Sequence, residues 1–275
     1  MRTAVITLAA GRHEHLRRQQ DGLAAGVRRP DHYVVAAMGD PGVRAAVAGR
    51  SPAPDVLEVP AGRAALPLAE ARNAGARRAL DAGAELLVFL DVDCVPGPDL
   101  LERYHQVAAG ADAPALLCGT VAYLPPPPEG GYRLADLPRL ADPHPARPAP
   151  APGETDRDGD HRLFWSLSFA VTAATWRAIG GFDEAYTGYG GEDTDFGQRA
   201  RRAGAALWWV GGAPAFHQYH PSGDPPVRHL DDILRNAEVF HRRWGWWPMT
   251  GWLESFAELG LARFDGRAGR WVRSG

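Results

Sequence analysis

The chain has 275 residues, 45% of them hydrophobic, and a formal net charge of −3. That suits one large α/β domain, or one domain with a tail, with enough apolar residues for a core. The near-neutral balance excludes the electrostatic footprint of a nucleic-acid binder, and two cysteines exclude a disulfide framework. No apolar run approaches the about 18 residues that a membrane span needs.

Thr3 to Ala9 is the first predicted strand. The stretch Met1 to Ala10 also has the look of a short signal peptide, but its apolar part is brief and reads as a strand. With two cysteines that behave as small packing residues, this points to a cytoplasmic protein in a reducing compartment. A turn at Gly11-Arg12-His13 leads into a helix from His15 to Val27, with Leu16, Leu23 and Val27 on one side. His32 to Met38 and Asp55 to Val59 are the next strands, separated by a turn at Gly39-Asp40-Pro41-Gly42. Leu66 to Ala82 reads as a helix with a stripe of Leu68, Arg72, Gly75 and Ala79, ended by Gly83.

Leu86 to Leu90 is an unbroken apolar run, the mark of a strand covered on both faces. It delivers Asp91-Val92-Asp93 to its C-terminal end, where open α/β sheets bind ligands. Two carboxylates there repel each other unless a cation lies beside them, and a hard divalent ion is the obvious one. Pro96, Gly97 and Pro98 stop the run, and Asp99 is placed to cap a helix beginning at Leu100.

Ala115 to Leu124 is a further strand. Ten prolines then lie between Pro125 and Pro152, so about 125–161 reads as a long loop with few apolar anchors, open to act as a lid. Asp156, Asp158 and Asp160 alternate as in a calcium loop, but the closing glutamate is missing and a solvated turn is expected. A strand from Leu163 to Thr172 and a helix from Ala173 to Ile179 follow. Alternating strands and helices predict a doubly wound, mostly parallel sheet flanked by helices.

The stretch Gly180 to Arg199 is the most informative. Five glycines surround Tyr186 and Tyr189, so a backbone can approach a ligand on which rings stack. A helix then opens on Glu192, Asp193 and Asp195 and closes on Arg199, Arg201 and Arg202, the charge order that its macrodipole favours. An ionised carboxylate there suits a general base for a hydroxyl; the bland reading is that these acids only offset the dipole. After a strand at Leu207 to Val210, His217 and His220 can offer two imidazoles to one metal, or form a hydrogen-bonded surface pair.

Taken together, the Asp-x-Asp at a strand end, the Gly-Gly-Glu-Asp helix start and the late histidines strongly resemble nucleotide-sugar glycosyltransferases of the GT-A fold, of the large family 2 type. Gly180 to His220 looks most like the C-terminal domain of the galactosyltransferase and polypeptide N-acetylgalactosaminyltransferase group. The resemblance implies a GT-A domain over 1–222 and leaves 223–275 as a Trp-rich helical extension packed on it. Trp244, Trp246, Trp247 and Trp252 have three uses open to them: closing over an acceptor, packing on the sheet, or peripheral membrane contact.

Roles follow by position from the resemblance. Asp93 and His220 match metal ligands, with Asp91 and His217 as further members. Thr7, Arg72, Asn73, Asp91 and Gly191 match donor-side positions. Two further donor-side candidates lie where the chain departs from the family: Arg12, in Leu8-Ala9-Ala10-Gly11-Arg12 with no proline after the first strand, and Asp40, the one acid available where the family has a pair for the nucleobase. Asp193 matches the base of inverting members, and Glu192 a residue that holds sugar hydroxyls. Tyr189 stands where galactosyltransferases carry an acceptor-site tryptophan. The cofactor implied is Mn²⁺ or Mg²⁺, with imidazole favouring Mn²⁺. The donor implied is a nucleotide-diphosphate sugar, a UDP-sugar first, and the acceptor a hydroxyl. Two rival readings are a nucleotidyltransferase, for which the chain lacks any lysine to grip a triphosphate, and an inactive sugar-binding module.

Overall fold

The structure is a computed structural model that describes residues 1–62, 65–221 and 223–274. Strand β1 (Thr3–Ala9), buried along its whole length, is followed by α1 (His13–Ala25), β2 (His32–Met38), α2 (Gly42–Val47) and β3 (Asp55–Val59). Then come α3 (Leu68–Asp81), β4 (Leu86–Leu90), β5 (Cys94–Pro96), α4 (Leu100–Ala109) and β6 (Ala115–Tyr123). The Pro-rich segment holds α5 (Leu137–Leu140), β7 (Asp142–Pro143) and β8 (Thr155–Asp156). β9 (Ser168–Thr172), α6 (Ala173–Ile179), α7 (Glu192–Arg202) and β10 (Ala206–His217) complete the main body. Helices α8 (Leu230–Trp244) and α9 (Thr250–Glu258) and a hairpin of β11 (Ala262–Asp265) and β12 (Arg270–Arg273) end the chain.

The main sheet runs β3-β2-β1-β4-β9-β6-β10-β5, parallel except for β9 and β5. It is covered on both faces. One core joins Ile6, Phe89 and Phe169 to Ala76 of α3, Trp176 of α6 and Phe196 of α7. The other joins Val5, Val88 and Ala170 to Leu16 and Leu23 of α1 and to Leu100 and Tyr104 of α4. Gly75 lets α3 approach β1, since a Cβ there would stand 2.6 Å from Ile6 Cγ2. That close approach brings Arg72, one turn earlier in α3, over the end of the sheet.

Several expectations need correction. α1 ends at Ala25, and Val27, expected on its apolar side, is 70% exposed. The short helix α2 has no apolar period long enough to announce it. Asp99 sits at the start of α4 but its side chain makes no capping bond. β9 begins at Ser168 rather than Leu163, because His161–Leu163 form a 3₁₀ turn. Cys94–Pro96 leaves the β4 line and pairs with β10 as a strand of its own.

The Pro-rich segment is not the loosely anchored loop that its composition suggests. β7 pairs with β6 and β8 with β10. Leu137 is buried with Val95, Leu124 and Phe216, and the buried Arg147 lies between the rings of Trp165 and Trp209. Single anchoring side chains and two-residue edge pairings leave no compositional trace.

The C-terminal residues carry a small core of their own, in which Leu230, Ile233 and Ala237 of α8 meet Leu253 and Phe256 of α9 and Ala262 of β11. The expected boundary at residue 222 falls on a residue outside those described. Asp195, fully buried in α7, links this part to the main body: its Oδ1 accepts from Arg243 Nη1 (2.8 Å), Trp244 Nε1 (2.8 Å) and Tyr186 OH (3.2 Å). Removing one partner of a buried charged network leaves the rest uncompensated, so Asp195→Ala should cost about 3 kcal/mol. Urea unfolding checks this, and a loss within experimental error would show that the network is not what joins α7 to α8.

Candidate active site

The strand register assembles the first half of the site. β4 ends at Leu90, paired with Ser168, and Asp91 N donates to Leu167 O at 3.0 Å, which holds the Asp-x-Asp turn at the sheet edge. β5 then pairs Cys94 with His217 of β10, and Gln218 N donates to Asp93 O at 2.7 Å. Residues more than a hundred positions apart are thereby set side by side. Asp93 Oδ2 lies 3.6 Å from His217 Nε2 and 3.5 Å from His220 Nε2, and Arg12 Nη1 also contacts it. Burial alone would raise the Asp93 pKa, but His220, His217 and Arg12 hold it well below the ordinary carboxylate range. Burial lowers the pKa of His217, the direction that favours the neutral imidazole a metal needs, while Asp93 opposes the shift.

One ligand atom from each of Asp93, His217 and His220 lies within 4.8 Å of the others. A carboxylate with two imidazoles fits a divalent transition ion, and Nδ1 of His220 is buried without a partner among the described residues. Asp91 does not join this set. It faces Arg72, whose Nη2 is 3.4 Å from Asp91 Oδ1, and burial pushes its pKa up to about 6 although Arg72 opposes the shift.

Arg72 also reaches the second half of the site. Its Nη1 donates to Glu192 Oε1 at 3.0 Å, and its guanidinium lies 5.1 Å from the Phe182 ring centre. The other oxygen of Glu192, Oε2, is buried without a partner among the described residues. Asp193 is half-buried, and among the described residues its side chain takes hydrogen bonds only from the backbone (2.7 Å) and hydroxyl (3.3 Å) of Thr194. Burial and then the neighbouring Glu192 raise its pKa to about 7, against the pull of Arg72. Gly191, at φ 88°, starts α7 where a Cβ would press on the Tyr186 ring at 3.3 Å.

The glycine-rich loop ahead of α7 is held by residues that the sequence did not single out. Asn236 of α8, fully buried, donates to the carbonyls of Thr187 (3.1 Å) and Gly190 (2.7 Å), and Asp232 accepts from Tyr189 N at 3.2 Å. Tyr189 stacks on His229 at 4.5 Å and lies 5.9 Å from Trp252, so part of the Trp-rich tail stands beside the position expected to meet the acceptor. Tyr123, 4.7 Å from the His217 ring, lies beside the metal set.

Three donor-side expectations do not face the site in this way. The Thr7 hydroxyl is buried and donates to Gln19 Oε1 at 2.8 Å. Gln19 in turn donates to Asp91 O (2.7 Å) and Cys94 O (3.1 Å), so Thr7 supports the acidic turn from within the core. Asn73 uses both ends of its amide on the Phe182 backbone, at 2.9 and 2.8 Å, and fixes the loop rather than a ligand. Asp40 accepts from Gly11 N (2.7 Å), Gly42 N (2.9 Å) and His13 (2.8 Å), which ties down the loop after β1 and leaves little of the carboxylate for a nucleobase. A cavity of about 870 Å³ lined by Arg77, Trp176, Arg199 and Trp244 includes neither the metal set nor Asp193.

The sheet order and the strand-end carboxylates can now be set beside known proteins. A mannosyltransferase from Pyrobaculum calidifontis, in complex with GDP-Man and Mn²⁺, superposes with a TM-score of 0.57 at 16% identity, over 88% of this chain and 64% of that one. GalNAc-T7 with UDP, GalNAc and Mn²⁺ gives a TM-score of 0.58 at 14% identity, over 93% of this chain and 56% of that one. The chain has the GT-A fold. Within this GT-A protein, residues 155–221 match the family described as the N-terminal domain of galactosyltransferase, the stretch that holds the Gly-Gly-Glu-Asp helix start and His217 and His220. Two validoxylamine A glucosyltransferases of Streptomyces hygroscopicus are each 34% identical over 158 residues, 51% of this chain. The chain spans about a third of the length of these curated relatives, 36% and 34%.

Among the described residues Arg72 is the one cation shared by the two halves, which makes it testable. Without it, Asp91 and Glu192 lose their common partner and Asp193 a compensating charge. The folded-state pKa values of Asp91 and Asp193, already raised, would rise further, so the folded protein would bind more protons than the unfolded one and lose stability as pH rises. Arg72→Gln should therefore lower the melting temperature more at pH 8 than at pH 5. An equal loss at both values would remove the electrostatic role.

Proposed function

We propose that the chain is a metal-dependent, inverting glycosyltransferase that moves a sugar from a nucleotide-diphosphate sugar to an acceptor hydroxyl. The reading is carried by one juxtaposition: Arg72 reaches both Asp91, two residues before the metal-set member Asp93, and Glu192, the neighbour of Asp193, whose pKa is raised to about 7. Asp93, His217 and His220 would hold Mn²⁺ or Mg²⁺, which when bound neutralises charge on the leaving diphosphate. Asp193 takes the proton of the acceptor hydroxyl. The hydroxyl oxygen then bonds to the anomeric carbon from the face opposite the diphosphate, whose bond to that carbon breaks, and configuration inverts. Glu192 Oε2, buried and unpartnered, accepts from a sugar hydroxyl, while Arg72 fixes the other oxygen.

Both UDP and GDP-Man occur in the structural neighbours, so the base is open and a UDP-sugar is the first donor to try. The names of the sequence relatives make validoxylamine A with a glucosyl donor the first acceptor pair. Among the described residues no helix is long and apolar enough to cross a membrane.

EDTA should abolish transfer and Mn²⁺ should restore it, measured as release of nucleoside diphosphate; full activity in chelator would sink the metal role, and release of pyrophosphate would favour nucleotidyl transfer instead.

With its pKa at about 7, Asp193 is protonated and idle as a base in acid, so kcat should climb with pH and level off above neutrality. Asp193→Asn should lower kcat by about 10²–10⁴-fold with donor binding retained. Its effect on stability has the opposite sign. An aspartate with a raised folded pKa binds more protons folded than unfolded between its two pKa values, so it costs stability as pH rises. The asparagine variant should melt higher than wild type at pH 8. Wild-type kcat in this variant would remove Asp193 as the base.

A further inference from the structure

Arg12 occupies an unusual position. Its backbone is left-handed, φ 51° and ψ 33°, directly after Gly11 at φ 61°. For a residue with a side chain this conformation is unfavourable, and it persists where the surroundings impose it. Here they do: Asp40 takes the amide of Gly11 and the ring of His13 on either side of Arg12, and Leu16 N donates to Arg12 O at 3.0 Å as α1 begins. The result aims the guanidinium at Asp93 Oδ2. That oxygen is also the atom that both histidines face, at 3.6 and 3.5 Å, while among the described residues Oδ1 has only the Cys94 thiol at 4.0 Å.

A divalent ion held by Oδ2 and the same two imidazoles would bring a second cation to the oxygen that Arg12 now contacts, and the two charges repel. Resting on the glycosyltransferase reading above, we propose that Arg12 is an exchangeable counter-ion of Asp93: a divalent metal displaces it, and the released guanidinium grips the diphosphate that arrives with the metal. The Arg12 side chain is about one-third exposed, 32%, and stands at the first turn of α1, so it has room to swing outward. A planar guanidinium with five donors suits phosphate oxygens. The exchange keeps Asp93 compensated at every stage. It also makes metal binding weak alone and strong with nucleotide, because the nucleotide rewards the arginine for leaving.

The test is Mn²⁺ binding, read by the electron paramagnetic resonance of free Mn²⁺, with and without UDP and with no acceptor or turnover. Arg12→Gln removes the competitor and one diphosphate contact together. It should bind Mn²⁺ alone more tightly than wild type, while the gain in Mn²⁺ affinity on adding UDP shrinks; couplings of this kind span about 5–150-fold. Arg18→Gln removes a nearby charge whose Nη1 lies 3.1 Å from Gln218 Oε1, with no bond to Asp93, and should change neither quantity by more than about twofold. Equal behaviour of the two variants, or weaker Mn²⁺ binding by Arg12→Gln alone, overturns the exchange and leaves the proposed activity standing. Failure of the wild type to bind Mn²⁺ even with UDP overturns both. Melting curves of each variant identify any that do not fold, in which case Arg12→Lys, which keeps the charge and shortens the reach, replaces the glutamine and should show a smaller effect of the same sign.

Discussion

Arg72 reaches from α3 to Asp91, 19 residues on, and to Glu192, 120 residues on, and the two halves of the site meet through it. The arrangement is costly to build. Arg72 is 3% exposed, and taking a guanidinium out of water is unfavourable unless several partners compensate it. Asp91, Glu192 and Asp193 do so, and they raise its pKa against the effect of burial. The converse also holds: three acids can crowd the sheet edge because one cation sits among them. Lysine would serve poorly here, since the two Nη atoms of one planar group bond to two different carboxylates while its face meets Phe182.

The compensation is incomplete, and the residue is informative. Asp91 remains raised to about 6 and Asp193 to about 7. Asp93, two positions from Asp91, is held well below the ordinary range by two histidines and an arginine. Neighbouring carboxylates whose pKa values are driven apart by their surroundings mark a division of labour, one kept as a permanent anion and another able to take a proton near neutrality. A cluster that served only to offset a helix dipole would have no reason to bury an unpartnered oxygen such as Glu192 Oε2.

Much of this was legible in the sequence, and the failures have a common cause. Thr3–Ala9 and His32–Met38 are mostly apolar runs followed by turn residues, and they and the short, more polar Asp55–Val59 form strands over the bounds expected. Asp93 and the two histidines could be named as candidates because carboxylate and imidazole at strand ends advertise their chemistry. What could not be read was which partner takes a polar side chain. Thr7 and Asn73 occupy positions that the resemblance links to the donor, yet Thr7 bonds to Gln19 and Asn73 to Phe182, 109 residues away. Gln19 and Asn236 carry no motif, so nothing in their local sequence separates a buried organiser from a solvated amide. Their signal lies in the fold: each is fully buried and each satisfies two or more backbone carbonyls.

The two sides of the site are therefore held by different kinds of structure. The metal side is fixed by sheet register, in which His217 pairs with both Cys94 and Tyr123 across three strands with buried faces. Moving it means breaking strand pairing. The other side is a glycine-rich loop whose carbonyls are tied by Asn236 and whose Tyr189 rests on His229 near Trp252, all from the C-terminal residues. Moving it means breaking a few hydrogen bonds on a unit with its own small core. Openings of that size lie toward the low end of a protein's stability range, where loops that admit ligands are found. A rigid edge at the proposed metal set and an adjustable loop around Tyr189 can thus coexist, and changes in the C-terminal helices can reshape the loop while Asp93, His217 and His220 stay in place.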